Sequence, residues 1–207
     1  MAASNDMQQQ QQQQQQQNQT IEFPLTFNWT LWCKECSGGG GGRNDEDWMD
    51  NVHELFGVST DKQFLAAYKQ AKLPTALPLG YNYYFFKKGI MPMWEAAPNK
   101  GAGAWVVLLQ ASAQSADLNF IWSDMLFMLV SGDIGHLAKY ICGVTCNVRR
   151  SMHKVALWTV KTTASNYEYI LEIGKIWHKS IANVYRIKYI KYRLHEGVQQ
   201  QEFDYAL

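Results

Sequence analysis

Apolar and polar positions alternate along this chain with two distinct periods. A period of two, the pattern of a strand with one face buried, runs over 28–34, 48–55, 83–88, 104–110, 141–149, 154–161 and 184–194. A period near four predicts helices over 61–71, 116–130 and 166–179. Thr60 with Gln63 has the form of a capping box, Ser115 precedes the second helix, and Ser165 with Glu168 opens the third. In the second helix Leu118, Ile121, Trp122, Met125, Leu126 and Leu129 make an apolar stripe wide enough to pack on a sheet. Strands interspersed with a few helices predict an α+β domain, an antiparallel sheet with helices on one side.

Two stretches carry neither period. Residues 1–20 are polar and include an unbroken glutamine run from Gln8 to Gln17, with no apolar groups to bury, so a disordered tail is expected. Residues 37–47 open with Ser37 and five glycines and read as a flexible loop inside the domain. The domain itself is expected over 21–196, followed by a tail at 197–207.

With 47% hydrophobic and 14% aromatic residues in 207, the chain can bury one good core but hardly two. Its 19 basic and 18 acidic residues nearly cancel, so any nucleic-acid contact must be local and not the work of a global field. Four cysteines, Cys33, Cys36, Cys142 and Cys146, make no disulfide framework, and no secretory signal opens the chain. A reducing compartment, cytoplasmic or nuclear, is expected. The triplets beginning at Asn18 and Asn28 would matter only in a secreted protein, and no apolar stretch reaches the length of a membrane span.

Eight tryptophans are many for this length, and most are expected in the core. Trp48, Trp94 and Trp158 keep other company. Trp94 follows Pro92 and directly precedes Glu95, which predicts a loop presenting an indole and an acid together. Residues 141–161 read as a hairpin turning at 150–153; if Arg149 lies opposite Lys154, alternation puts Arg149, Lys154 and Trp158 on one face. These groups have the chemistry that a 7-methylguanine nucleotide demands. Methylation at N7 makes the base cationic, and stacking it between indoles adds about 0.5 to 2 kcal/mol that unmethylated guanine lacks. A carboxylate can accept the N1–H and N2–H bonds of the guanine edge, and cations beside the pocket can neutralise a triphosphate.

On these residues the chain resembles the translation initiation factor 4E family. The resemblance is carried by the segment from Tyr83 through Gly89-Ile90-Met91-Pro92-Met93-Trp94-Glu95 to Asn99-Lys100-Gly101 and Ala104-Trp105, and by Cys142-Gly143-Val144 through Arg149 into Lys154 and Trp158. Phe23-Pro24-Leu25 with Trp29-Thr30-Leu31-Trp32, and Asp117-Leu118 through Trp122, match more loosely. The family implies one domain in which a curved antiparallel sheet of about eight strands is backed by three helices on its convex side. It is a binding fold without chemistry of its own. Carried over position by position, Trp48 and Trp94 match the stacking indoles and Glu95 the acid. Trp158 matches the indole near the N7-methyl group, and Arg149 and Lys154 match the phosphate ligands. The implied partners are capped mRNA, a 4G-type scaffold initiation factor and 4E-binding repressor proteins. The proteins would meet the convex face around Phe23, Pro24, Leu65, Trp122 and Asp124. The family has a tryptophan after the phenylalanine of the first helix, whereas Phe64 is followed here by Leu65, and a longer acid where Asp124 stands. The alternative role is therefore a cap-binding competitor that represses translation. The segment from Tyr185 to Arg193 is more basic than the family leads one to expect, and contact with RNA beyond the cap is one reading of it, a solvated strand face the other.

Three other classes compete. Cys33-x-x-Cys36 and Cys142-x-x-x-Cys146 could supply zinc thiolates, but residues four apart on a strand are separated by about 13 Å, too far for one tetrahedral ion. An oxidoreductase would want the cysteine pair at a strand-to-helix turn. A cap hydrolase would want clustered carboxylates for a divalent metal, and the acids here are scattered. Neither cofactor nor metal is expected.

Overall fold

The computed structural model describes residues 21–35, 51–112, 115–185, 187, 189–195 and 207. Among the described residues seven strands form a single antiparallel sheet: β1 (Pro24–Glu35), β2 (Val52–Thr60), β3 (Tyr81–Lys87), β4 (Gly103–Gln110), β5 (Ile141–Asn147), β6 (Met152–Thr159) and β7 (Lys191–Leu194). Their order across the sheet is β2-β1-β3-β5-β6-β4-β7. Three helices follow in the expected places: α1 (Asp61–Gln70), α2 (Ser115–Val130) and α3 (Tyr167–Tyr185).

One face of the sheet and the helices enclose the main core. Trp29 and Leu31 of β1, Tyr83 and Phe85 of β3, Val144 and Cys146 of β5, Val155 and Leu157 of β6 and Trp105 and Val107 of β4 alternate onto this face. The stripe on α2 is buried throughout. Each such side chain contributes about 1.5 to 3 kcal/mol by leaving water. Gly174 lets α3 settle on the sheet, because a Cβ there would come within 2.3 Å of the Trp105 ring, whose Nε1 donates to the Ile170 carbonyl at 2.9 Å.

Local chemistry explains the helix boundaries. Thr60 caps α1 by accepting from Gln63 N at 3.3 Å, and the Gln63 amide oxygen reaches back to Ser59 N at 2.9 Å, one residue earlier than a capping box requires. At α3 the wrapping residue is Asn166 and not Ser165: its side chain accepts from Thr163 N at 2.7 Å and donates to the Lys161 carbonyl at 3.0 Å. α3 also runs on to Tyr185, past the expected end at 179, because Ile173, Trp177 and Ile181 keep its buried face continuous. The expected strand over 184–194 is corrected accordingly to Lys191–Leu194. Most of the expected C-terminal tail lies outside the described residues, but Leu207 exchanges two backbone hydrogen bonds with Ile190, both 3.2 Å. The expected disordered N-terminal tail at 1–20 and the glycine-rich loop at 37–47 lie outside the described residues. Among the described residues no helix is long and apolar enough to cross a membrane.

Candidate functional site

The opposite face of the sheet carries a second, smaller apolar assembly with Trp158 at its centre. Trp158 on β6 is half-buried; on one side it meets Tyr84, Phe86 and Cys142, and on the other Ala104, Val106 and Ala156. Its ring stands edge-on to Phe86 at 5.4 Å. Gly143 makes room for this arrangement, since a Cβ there would lie 2.4 Å from the Phe86 ring. A register shift between Ile141 and Gly143 bulges β5 at this point. The bulge explains why Ile141 sits in the main core while its neighbour Cys142 packs beside Trp158.

Trp94 and Glu95 stand on the loop between β3 and β4, both exposed, with Trp94 presenting 43% of its surface. The loop is not loose. Asn99 is fully buried and its Nδ2 donates to the carbonyls of Met91 and Met93, at 2.8 and 2.7 Å. Further turns close from Met93 N to Met91 O at 2.8 Å and from Asn99 N to Ala96 O at 2.8 Å. Gly89 and Gly101, at φ +88° and +72°, make the left-handed corners where the loop leaves and approaches the sheet. Ile90 packs into the cluster around Trp158, and the Cys142 thiol lies 4.0 Å from the Pro98 carbonyl. Both arms of the loop that carries the indole and the acid are thus fixed to the support of Trp158.

The cations depart from the expected register. Asn147, not Arg149, lies opposite Lys154. The connection runs over 148–151 because Val148 remains paired with β3, donating to Tyr81 O and accepting from Gly80 N, each at 2.9 Å. Met152 meanwhile already pairs with Gln110 of β4. Lys154 still shares the face of Trp158, being exposed and four residues along the same strand. Arg149 is half-buried beyond the end of β5, and its Nη1 donates to the carbonyls of Tyr81 at 3.3 Å and Val148 at 2.9 Å. That anchorage leaves the rest of the guanidinium fork for an anion. Trp48 lies outside the described residues.

Two residues of the candidate site have no role in the sequence reading. Asn99, which stands within a segment that carries the resemblance, is the first. The second is His195, whose ring lies 4.0 Å from that of Trp158 at 43°, and whose backbone N–H donates to Ala102 O at 2.9 Å. Burial, with the Lys154 charge as a lesser cause, holds its pKa down at about 4, so the imidazole against Trp158 is neutral near pH 7. A histidine just after an amphipathic strand gives no such signal by itself; only the pairing of β7 with β4 brings it to Trp158.

On the helix side Phe23, Pro24, Leu65 and Asp124 are exposed, Leu65 by 42%. Trp122 is not a surface residue: it is 3% exposed and stacks on Tyr83 at 5.8 Å. It lines a shallow apolar depression together with Phe64, Tyr68 and Phe85. As for a thiolate metal site, Cys142 and Cys146 pack in different clusters on opposite faces, burial raises both thiols, Cys142 to about 11, and Cys36 lies outside the described residues. Among the described residues no three ligating side chains gather.

The profile described as eukaryotic initiation factor 4E matches residues 24–205. Eukaryotic translation initiation factor 4E1 of Drosophila melanogaster is 34% identical over 181 residues, covering 86% of this chain and 65% of that protein. Human eukaryotic translation initiation factor 4E type 1B is 31% identical over 160 residues, 76% of this chain and 62% of that one. The chain thus spans somewhat under two thirds of the length of these curated relatives. Among solved structures, Ascaris suum eIF4E-3 in complex with an m2,2,7G cap superposes with a TM-score of 0.75 at 27% identity, covering 87% of this chain and 95% of that one. Caenorhabditis elegans eIF4E-3 in complex with the 4E-binding protein Mextli and a cap analogue gives 0.71 at 30% identity, covering 85% and 94%. By the profile match, the identities and the shared sheet-and-helix architecture, the chain belongs to the eukaryotic initiation factor 4E family.

Proposed function

We propose that the chain binds the 7-methylguanosine 5′ cap of messenger RNA and recruits that RNA for translation initiation in the cytoplasm, without chemistry of its own. The observation that carries this reading is the braced Trp94–Glu95 loop, anchored through Ile90 and Pro98 to the cluster that supports Trp158. In this reading Trp94 and Trp48 sandwich the cationic base, Glu95 accepts from its Watson–Crick edge and Trp158 meets the methyl group. Lys154 and Arg149 hold the phosphates, Arg149 through the donors not committed to Tyr81 and Val148. Helical segments of a scaffold factor or of 4E-binding repressors dock across Phe23, Pro24, Leu65 and Asp124, with Trp122 stiffening the surface from below.

Retention on a 7-methyl-GTP matrix tests the reading. Wild-type protein is retained and eluted by free 7-methyl-GTP. Glu95→Ala, which removes the acceptor of two charge-assisted hydrogen bonds, passes through the column. Retention of that variant at wild-type strength would mean that the guanine edge is read elsewhere.

A further inference from the structure

The basic C-terminal strand has no role in the site as described, yet the sheet order brings it there. β7 pairs with β4 so that Arg193 lies opposite Ala104 and Lys191 opposite Val106. Ala104 and Val106 belong to the apolar bed of Trp158, and Ala104 pairs on its other side with Trp158 itself. Ile190 and Tyr192 point the other way, into the main core. Tyr189, Lys191 and Arg193 therefore project from the face that carries Trp158 and Lys154, with Arg193 about 10 Å from Trp158 across two strand spacings.

The side chains bear this out. Tyr189 is 56% exposed, and the Lys191 ammonium lies over its ring at 5.5 Å. Arg193 is exposed at the free edge of the sheet. Leu108, exposed on β4, faces the same side and pairs with Lys154. Exposed flat and apolar surface interleaved with cations is what a single-stranded nucleic acid uses: bases stack on the rings, and the backbone follows the charges.

We propose that Tyr189, Lys191 and Arg193 form a track for the ribose-phosphate chain of the nucleotides that follow the cap. The inference rests on the cap-binding reading for the direction in which the RNA enters. Charge complementarity selects the occupant, since the triphosphate would already lie along Lys154, and the next phosphates meet the cations of the neighbouring edge strand. The contact is tolerant of sequence, because neither a stacked ring nor a phosphate reports which base is present.

The test compares three ligands on the full chain: 7-methyl-GTP, a capped oligoribonucleotide of mixed sequence, and the same oligoribonucleotide without a cap. Affinities of wild type and of Lys191→Gln/Arg193→Gln are measured over a series of salt concentrations. Wild type is expected to bind the capped oligonucleotide about tenfold more tightly than 7-methyl-GTP. The double variant is expected to lose that excess, and its salt slope on the capped oligonucleotide to fall by about 1.4, at ~0.7 per phosphate contact on a single strand. Its affinity for 7-methyl-GTP stays at the wild-type value. Circular dichroism and thermal unfolding confirm that the variant is folded, and Tyr189→Ala, which removes the exposed ring under the Lys191 ammonium and no charge, provides a second route to the same loss.

An unchanged affinity and salt slope on the capped oligonucleotide overturns the proposal, and would be the result if the strand served an acidic protein partner. An equal loss on 7-methyl-GTP and on the capped oligonucleotide overturns it too, since the cations would then belong to the cap pocket. Failure of the cap-binding reading looks different: wild type would ignore 7-methyl-GTP, while weak binding of the uncapped oligonucleotide, lost in the double variant, would still support the track.

Discussion

Replacing Asn99 by alanine removes the brace of the loop that presents Trp94 and Glu95 without touching either of them. Only the amide nitrogen can donate to the Met91 and Met93 carbonyls, so alanine deletes both bonds. Neither carbonyl is left wholly unpaired, because Met91 O still accepts from Met93 N at 2.8 Å and Met93 O from Ala96 N at 3.3 Å. The cost per bond therefore sits near the ordinary net value of about 1 kcal/mol and not at the penalty for a buried orphan. Part of it is offset, since the Asn99 side-chain oxygen is itself buried with no hydrogen-bond partner among the described residues, and alanine removes it as well. A net loss of about 1 to 2 kcal/mol is expected in urea unfolding, together with a drop of a few degrees in Tm. Cap affinity should fall about tenfold, because the indole and the acid must then be ordered on binding instead of beforehand. Asn99→Asp sets a carboxylate against two carbonyls and should be worse than alanine in both assays. The reasoning is refuted if Asn99→Ala binds 7-methyl-GTP as tightly as wild type, or if the aspartate variant is the more stable of the two.

Acidification acts through His195. Its pKa in the folded chain, about 4, lies below the ordinary 6.5, so the unfolded chain binds the proton more readily. The neutral packing against Trp158 is fully present above pH 6.5 and is lost as pH falls through about 4. Cap affinity and Tm should both decline across that window, and His195→Phe, which keeps a ring there and cannot be protonated, should flatten the part of the decline that His195 causes. A wild-type decline unaltered in that variant would assign it to other groups. Gly143→Ala forces a methyl to within 2.4 Å of the Phe86 ring and should destabilise the fold by about 1 to 3 kcal/mol while weakening cap binding. Differential unfolding against the surface change Lys100→Ala, expected within about 0.5 kcal/mol of wild type, checks it.

Much of the architecture is visible in one-dimensional pattern because burial imposes it. The stripe of α2 reads directly off its spacing, and α1 begins directly after Thr60, its N-terminal cap. What the pattern does not hold is register. Expected and observed hairpins differ by two residues because Val148 stays bonded to β3 across the sheet, a long-range contact with no local signature. β2 runs to Thr60, beyond the expected end at 55, since Gly57 pairs opposite Thr30 and Val58 fills the core. Of the candidate site, the exposure of Trp94 and Glu95 on one loop and the shared face of Lys154 and Trp158 are legible from residue types and spacing. Asn99 and His195 are not, because one acts through carbonyls that any sequence possesses and the other through a strand pairing between distant segments. Its position in a resembling motif puts Trp122 on the partner surface, whereas it lies in the core because it belongs to the same stripe as Leu118 and Met125.

The central claim is that this face of the sheet recognises a positively charged purine. Quenching of tryptophan fluorescence by 7-methyl-GTP and by GTP, titrated side by side at one salt concentration, measures it most directly. Saturable quenching by the methylated nucleotide is expected at low micromolar concentration or tighter, on the order of 8 kcal/mol of binding, with GTP at least about tenfold weaker. Equal affinity for the two nucleotides, or quenching by neither, would contradict the account.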